Sequence, residues 1–302
     1  MSNFQISHTL LANLCRRNRF PVAQELMIFL GIRGSLPVFP ENHAFATTHD
    51  LMLSSTDHQH PRCTLVQWLP AQGLLAVFPG STVPHLKYIR KAMTRGGAGA
   101  NQMLTGYYAD YRKGDHNLSS PPTRHRAFRQ MEARYVLRTL DDEVYEADDR
   151  MEFNNPFDNL HAAWSMGVNH ADFASAGCQV VVGYPKCTRR GGSPDSGPWA
   201  SFVRNAYAQT QDHFPYALLT GQDYYRAAAG TFDASDYRLR YGSVGEEVRL
   251  LQQRLKAKRF YEGIVDDKFG SRTMNAVLAF QRSAFGVDAA DGIVGPVTLS
   301  AL

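Results

Sequence analysis

The chain has 302 residues, a formal net charge of +4 and 44% hydrophobic residues, which is the composition of an ordinary soluble globular protein of one large or two smaller domains. The mild, dispersed charge excludes the dense basic stripe of a nucleic-acid binder, and no stretch approaches the ~20 apolar residues of a membrane span. Four cysteines, Cys15, Cys63, Cys178 and Cys187, are too few and too irregularly spaced for a disulfide framework, and no C-x-x-C pair suggests zinc.

Residues 8–18 read as a short amphipathic helix, and the apolar run there precedes Arg16, Arg17 and Arg19, the wrong order for a secretory signal. Leu26 to Ile32 is a continuous apolar run closed by Arg33 and Gly34, the pattern of a buried strand. Thr64 to Leu69 and Leu74 to Phe78 are strands joined by a hairpin at Pro70–Gly73, residues 79–84 mark a turn, and His85 to Thr94 is a helix. Gly106 to Tyr111 is aromatic enough for a strand or a pocket wall, which makes Tyr107 a candidate substrate contact. His116 and His125 flank a polar, proline-bearing loop. Glu132 to Thr139 alternates, predicting a half-exposed strand with Arg134 and Arg138 outward, and another strand is expected near Val144.

Two short strands then bracket a loop: Asn159 to Ala163, carrying His161, and Gln179 to Gly183, entered from Ser175-Ala176-Gly177-Cys178. A nucleophilic thiol needs a base for its proton and amide N–H groups for the oxyanion it creates. His161 supplies the base, and the small residues before Cys178 let the backbone turn so that the Gly177 and Cys178 amides converge, with Ser175 as a hydrogen-bonding turn residue. His170 and Gln179 are further candidate contacts, and Asp158, Asp172 or a backbone carbonyl would orient His161.

This arrangement, a histidine ending a strand and then Ser-x-Gly-Cys entering another, resembles the active-site signature of the L,D-transpeptidase catalytic family. It departs from the family pattern at Ala162, Ala176 and Val180, as a divergent branch would. The resemblance implies a mainly β catalytic domain in which the cysteine attacks the peptide stem of bacterial peptidoglycan, with no cofactor and no metal.

After the strand, a basic, glycine-rich loop between Cys187 and Pro198 is placed as a lid, followed by a helix with Trp199, Phe202, Val203 and Tyr207 on one face. Tyr216 to Thr220 is a last strand and Gln222 to Ala229 a last helix. The expected division is a catalytic domain over 1–229, a linker over 230–241 where apolar periodicity is lost, and a small all-α domain over 242–302. In the last segment an acidic, glycine-containing loop twice precedes a helix, at Gly263–Gly270 and at Asp291–Gly295. The stretch Val244 to Leu302 closely resembles the three-helix peptidoglycan-binding domain of cell-wall hydrolases, with Tyr261, Phe269 and Arg272 as candidate groove residues.

Together these features predict a peptidoglycan-modifying cysteine enzyme acting through a Cys178 acyl-enzyme, as transpeptidase, carboxypeptidase or endopeptidase. It would work in the periplasm or wall after delivery by a secretion-system or phage apparatus or another non-classical route, or in the cytoplasm if it is not exported. The alternatives are a non-catalytic wall-binding protein and a zinc peptidase, the latter without an H-x-x-x-H or H-E-x-x-H pair among the 11 histidines.

Overall fold

The computed structural model describes residues 2–231 and 237–302. Its centre is a closed barrel of eight strands. After β1 (Asn3–Ser7) and α1 (His8–Arg17) come β2 (Ile28–Arg33), the short β3 (Ser35–Pro37) and β4 (Thr48–Leu53), and the hairpin β5 (Cys63–Leu69) and β6 (Leu74–Ser81). Helix α2 (Leu86–Arg95) leads to β7 (Ala100–Met103), β8 (Gly106–His116), β9 (His125–Gln130), β10 (Arg134–Thr139) and β11 (Arg150–Asn154). Then follow β12 (Leu160–Ala162), β13 (Gln179–Val181), α3 (Pro198–Tyr207), β14 (His213–Thr220) and α4 (Gly221–Ala228). Around the barrel the order is β12-β13-β6-β5-β2-β14-β8-β9, and small three-stranded sheets, β1-β4-β3 and β11-β10-β7, flank it.

Both faces of β2 are covered, which is why its sequence is continuously apolar instead of alternating. Phe29 points inward with Leu65, Phe78, Phe128, Phe214 and Tyr216, and α3 adds Trp199 and Phe202 to that interior. Ile28, Leu30 and Ile32 point outward under α1, α4, β1 and β4, where Leu11, Leu14 and Tyr224 meet them. Gly31 is inward too: a Cβ there would lie 2.0 Å from Tyr216 Oη, so only glycine lets these strands close.

The helix over 8–18, the hairpin and the α3 and α4 expectations match the structure, whereas several others need correction. Residues 79–81 continue β6 rather than turn. No strand forms at Val144, and the partner of β10 is β11. Arg134 does not face solvent: it is 1% exposed, paired with Asp110 at 2.6 Å and set against the Tyr108 and Tyr111 rings. Arg138 is buried as well, held by Glu152 at 2.6 Å and the Gly99 carbonyl at 2.8 Å. An alternating pattern cannot distinguish solvent from a buried ion pair between the flanking sheet and the barrel.

The C-terminal segment forms α5 (Glu246–Ala257), α6 (Ser271–Phe285) and α7 (Pro296–Ala301) around Val248, Leu251, Phe269, Val277 and Phe280. Its internal echo has a physical cause. Gln252 Nε2 donates to Asp266, Lys268 and Thr273 oxygens while its Oε1 accepts from the Asp266 and Asp267 amides. Gln281 repeats this with Asp291, Ile293, Thr298 and the Gly292 amide. Each acidic loop is therefore pinned by one buried glutamine from the preceding helix.

This segment is docked, not tethered. Tyr135 Oη on β10 donates to Ser271 O at 2.9 Å and to Asn275 Oδ1 at 2.8 Å, Ser243 Oγ donates to Asn18 O at 2.6 Å, and Arg19 pairs with Glu247 at 2.6 Å. Of the expected linker, residues 232–236 lie outside the described residues, while Leu239 is fully buried and exchanges backbone hydrogen bonds with Val294.

Candidate active site

Strands β12 and β13 run parallel with Leu160 beside Gln179, which carries the loop between them from His161 back to Cys178. The Ser175–Cys178 turn is fixed from inside: Ser175 Oγ donates to the Cys178 carbonyl at 2.7 Å and accepts from the Gly177 amide at 3.2 Å. From outside, His85 N donates to Ser175 O at 2.8 Å and Asn101 N to Ala176 O at 3.2 Å. Gly177 has φ +148°, and a Cβ on it would lie 1.9 Å from Asn101 Nδ2 and 2.6 Å from Asp158 Oδ1. Both constraints require glycine.

His161 is 1% exposed. Its Nδ1 lies 2.8 Å from the Ala162 carbonyl, so in the neutral ring Nδ1 carries the proton and donates, and Nε2 is left as a bare acceptor with no partner. The orienting group is thus a backbone carbonyl; Asp172 pairs with Lys87, and Asp158 accepts from Asn101 Nδ2. The ring of His116 stacks on that of His161 at 3.9 Å and 15°, and His125 meets it edge-on at 5.4 Å. Asn159 Oδ1 accepts from the Gln130 amide at 3.0 Å, which turns its Nδ2 toward His116 Nδ1, also 3.0 Å away. Neutral His116 accordingly accepts at Nδ1 and carries its proton on Nε2.

One ring nitrogen of His116, one of His161 and Cys178 Sγ all lie within 4.8 Å of one another. Two imidazoles and a thiol are a zinc-type donor set. The fit is poor, because the Asn159 contact occupies His116 Nδ1 and leaves its proton on Nε2, so His161 Nε2 is the one free imidazole nitrogen of the three-residue group.

Electrostatically the pair is neutral. Burial, followed by the nearby His116 and His125, holds His161 well below the usual imidazole range. Burial also holds His116 down to about 4. The Cys178 thiol is pushed up by burial and then by the Asp158 carboxylate, against the pull of the Asn159 and Cys178 amides. Asp158 is itself pushed up to about 6 by burial, partly offset by Asn101, Arg134 and Arg138. Cys178 is 8% exposed, and its Sγ lies 3.9 Å from the carbonyl of Phe157, an exposed residue at φ +60°.

Cys178, His161, Ser175 and Gly177 therefore come together, but the Gly177 amide is already engaged by Ser175 and is not a free oxyanion donor. The other candidates lie elsewhere or are enclosed. Gln179 is fully buried, donating to Gly177 O and accepting from Tyr216 Oη at 2.8 Å. Tyr107 packs on Phe20 in the layer outside the barrel. His170 is exposed, with Nδ1 3.4 Å from Ser165 Oγ. Phe269 is a core residue of the helical segment, 1% exposed, instead of a groove wall, whereas Tyr261, 4% exposed, packs in that core and also lines a groove. Arg272 alone of the three is exposed, on that same groove with Tyr261, Arg259 and Glu262. Sequence reasoning missed His116 as a site residue. The hairpin of β8 and β9 sets it directly opposite His125, and the only signal was that both flank one loop.

Residues 244–302 match the family described as "Putative peptidoglycan binding domain". Over 58 residues the chain is 50% identical to N-acetylmuramoyl-L-alanine amidase CwlM of Mycobacterium tuberculosis, a match covering 19% of this chain and 14% of the amidase. No solved structure matches the chain. The C-terminal segment is a peptidoglycan-binding domain, and among the described residues no helix is long and apolar enough to cross a membrane.

Proposed function

We propose that the chain is a peptidoglycan-directed cysteine acyltransferase of the L,D-transpeptidase type, held on its substrate by residues 244–302. The observation that carries this reading is the bare, buried Nε2 of His161, in a cluster that brings an imidazole nitrogen within 4.8 Å of the Cys178 thiol. His161 takes the thiol proton as sulfur attacks a stem-peptide carbonyl beside a D-configured or meso-diaminopimelate centre, and the Cys178 amide faces the oxyanion. The C–N bond then breaks, His161 returns the proton to the departing amine, and a thioester remains. An incoming amine gives a cross-link or exchange, and water gives hydrolysis.

The resting site is closed: a neutral thiol and a neutral imidazole sit under the Phe157 carbonyl. Substrate entry must move that segment before proton transfer. The same closure favours a second reading, a wall-binding protein whose first domain has lost activity. Incubating the protein, Cys178→Ala and His161→Ala with isolated peptidoglycan, with mass spectrometry of enzymatically released muropeptides, decides between them. Altered stem peptides with the parent protein and none with either variant support the enzyme. Binding by all three with unaltered stems overturns it.

A further inference from the structure

Trp164 stands beside the catalytic cluster in a conformation that packing alone does not explain. It follows Ala163, which packs against Cys178, and its φ is +58°, a left-handed backbone that is rare for a bulky residue. Its amide donates to Gly183 O at 2.9 Å, which pins the turn. The chain has three tryptophans. Trp68 and Trp199 are fully buried, and their Nε1 atoms donate to His8 Nδ1 and Asp195 Oδ1, both at 3.1 Å. Trp164 is half-buried; among the described residues its Nε1 has no acceptor, yet it is not one of the buried unpartnered atoms, so solvent reaches it.

The Trp164 ring is braced edge-on by His125 at 5.8 Å and Tyr184 at 6.3 Å, and the residue lines a groove of about 470 Å3 with Tyr88, Asn117, Ser120 and Ala174. Two of these set the groove against the site. Asn117 follows His116, whose ring stacks on His161, and Ala174 precedes Ser175 in the turn to Cys178. Asn117 Nδ2 donates to Thr123 Oγ1 at 3.3 Å, which leaves its Oδ1 without a donor among the described residues. Ser120 Oγ accepts from Thr123 Oγ1 at 3.0 Å and keeps its own proton free. No carboxylate lines the groove to repel an acidic ligand, and Lys87 on its wall is paired with Asp172.

We infer that this groove is a glycan subsite, holding an N-acetylated sugar of the wall strand on Trp164 beside the catalytic cluster. An aromatic face with an accessible N–H, next to an uncommitted amide oxygen and hydroxyl, matches a pyranose, whose C–H face is apolar and whose rim carries hydroxyl and acetamido groups. None of the lining residues belongs to a strand, so the groove has no strand edge on which an extended peptide could pair. The inference takes from the proposed function only that a stem peptide lies at Cys178. The substrate is then a stem still carried by its sugar, not a free peptide.

The test is acrylamide quenching of tryptophan fluorescence in the Cys178→Ala protein. Trp68 and Trp199 are fully buried and residues 242–302 contain no tryptophan, so the quenchable signal is that of Trp164 and binding to the helical domain is not read. The probes are the disaccharide N-acetylglucosaminyl-N-acetylmuramic acid and the free stem tetrapeptide. The disaccharide is expected to protect the indole from quenching, and the tetrapeptide to need about tenfold or more higher concentration for the same protection. Exposed Ser120 gives a variant that leaves the core alone: Ser120→Tyr fills the groove and should abolish protection. No protection by the disaccharide, equal protection by the tetrapeptide, or protection unchanged in Ser120→Tyr would overturn the subsite. Each of these outcomes is read without catalysis, so an inactive Cys178 leaves the subsite standing, and loss of the subsite leaves the acyl-enzyme untouched.

Discussion

Gly177→Ala tests whether the turn before Cys178 is built as described. A Cβ on Gly177 would stand 1.9 Å from Asn101 Nδ2 and 2.6 Å from Asp158 Oδ1, and neither neighbour is a loose side-chain end. Asn101 is held by Asp158 and by Arg138 Nη1 at 3.3 Å, and all of these are buried. Alanine at a φ of +148° adds backbone strain of about 1–3 kcal/mol. Displacing Asn101 breaks a charge-assisted hydrogen bond to a buried carboxylate, costing roughly 1.5–3 kcal/mol. A total loss of about 3–5 kcal/mol is expected from urea unfolding at neutral pH, against ~1 kcal/mol for an average substitution. A loss within about 0.5 kcal/mol, the range of a surface change, would mean that Gly177 is not wedged against Asn101 and Asp158.

Further expectations rest on titration and packing. Asp158 is raised from 3.8 to about 6, so the folded state binds its proton more tightly; its stabilising contribution is complete below the unfolded value and is lost as pH rises through about 6. Asp158→Asn never ionises, so its stability relative to the parent should rise by up to about 3 kcal/mol between acid and neutral pH. A difference flat with pH would refute the buried carboxylate. His116 has the opposite sign: its folded value is depressed from 6.5 to about 4, so the stability linked to it is present above the unfolded value and lost as pH falls through about 4. His116→Phe should flatten that acid branch of the stability curve, and a parallel curve would argue against a solvent-excluded imidazole. All four cysteines are buried and reduced, so iodoacetamide should alkylate the native protein more slowly than the urea-unfolded one at the same pH. A faster native reaction would contradict the closed site. In the helical domain, Gln252→Leu leaves the Asp266 and Asp267 amides without their acceptor and should lower stability by about 2–4 kcal/mol in denaturant unfolding; a neutral result would break the account of the repeat.

How far the sequence alone reached follows from what each pattern encodes. The run from Leu26 to Ile32 was legible because a strand covered on both faces must be apolar throughout, and the C-terminal helices were legible because their apolar spacing has one interpretation. Barrel closure was not legible: β12 and β13 have three residues each, and their pairing depends on partners far away in the chain. Arg134 was misplaced outward because the carboxylate that lets it lie inside, Asp110, is 24 residues earlier on a different strand. Cys178 and His161 were proposed as a pair from local grammar, a strand end and a glycine turn. His116 has no such grammar, and it reaches His161 only through the register of β8 with β9. Phe269 looked like a binding residue because aromatic character reads the same in a groove and in a core.

The most direct test of the central claim is the intact mass of the protein after incubation with soluble stem-tetrapeptide fragments and rapid acid quenching, with Cys178→Ala and His161→Ala in parallel. The account predicts a mass increase on the parent protein equal to the donor peptide minus its leaving amine, mapped by digestion to Cys178, absent from Cys178→Ala and strongly reduced in His161→Ala. If the parent protein carries no adduct and the fragments are recovered unchanged, Cys178 is a buried structural thiol and the chain is a wall-binding protein.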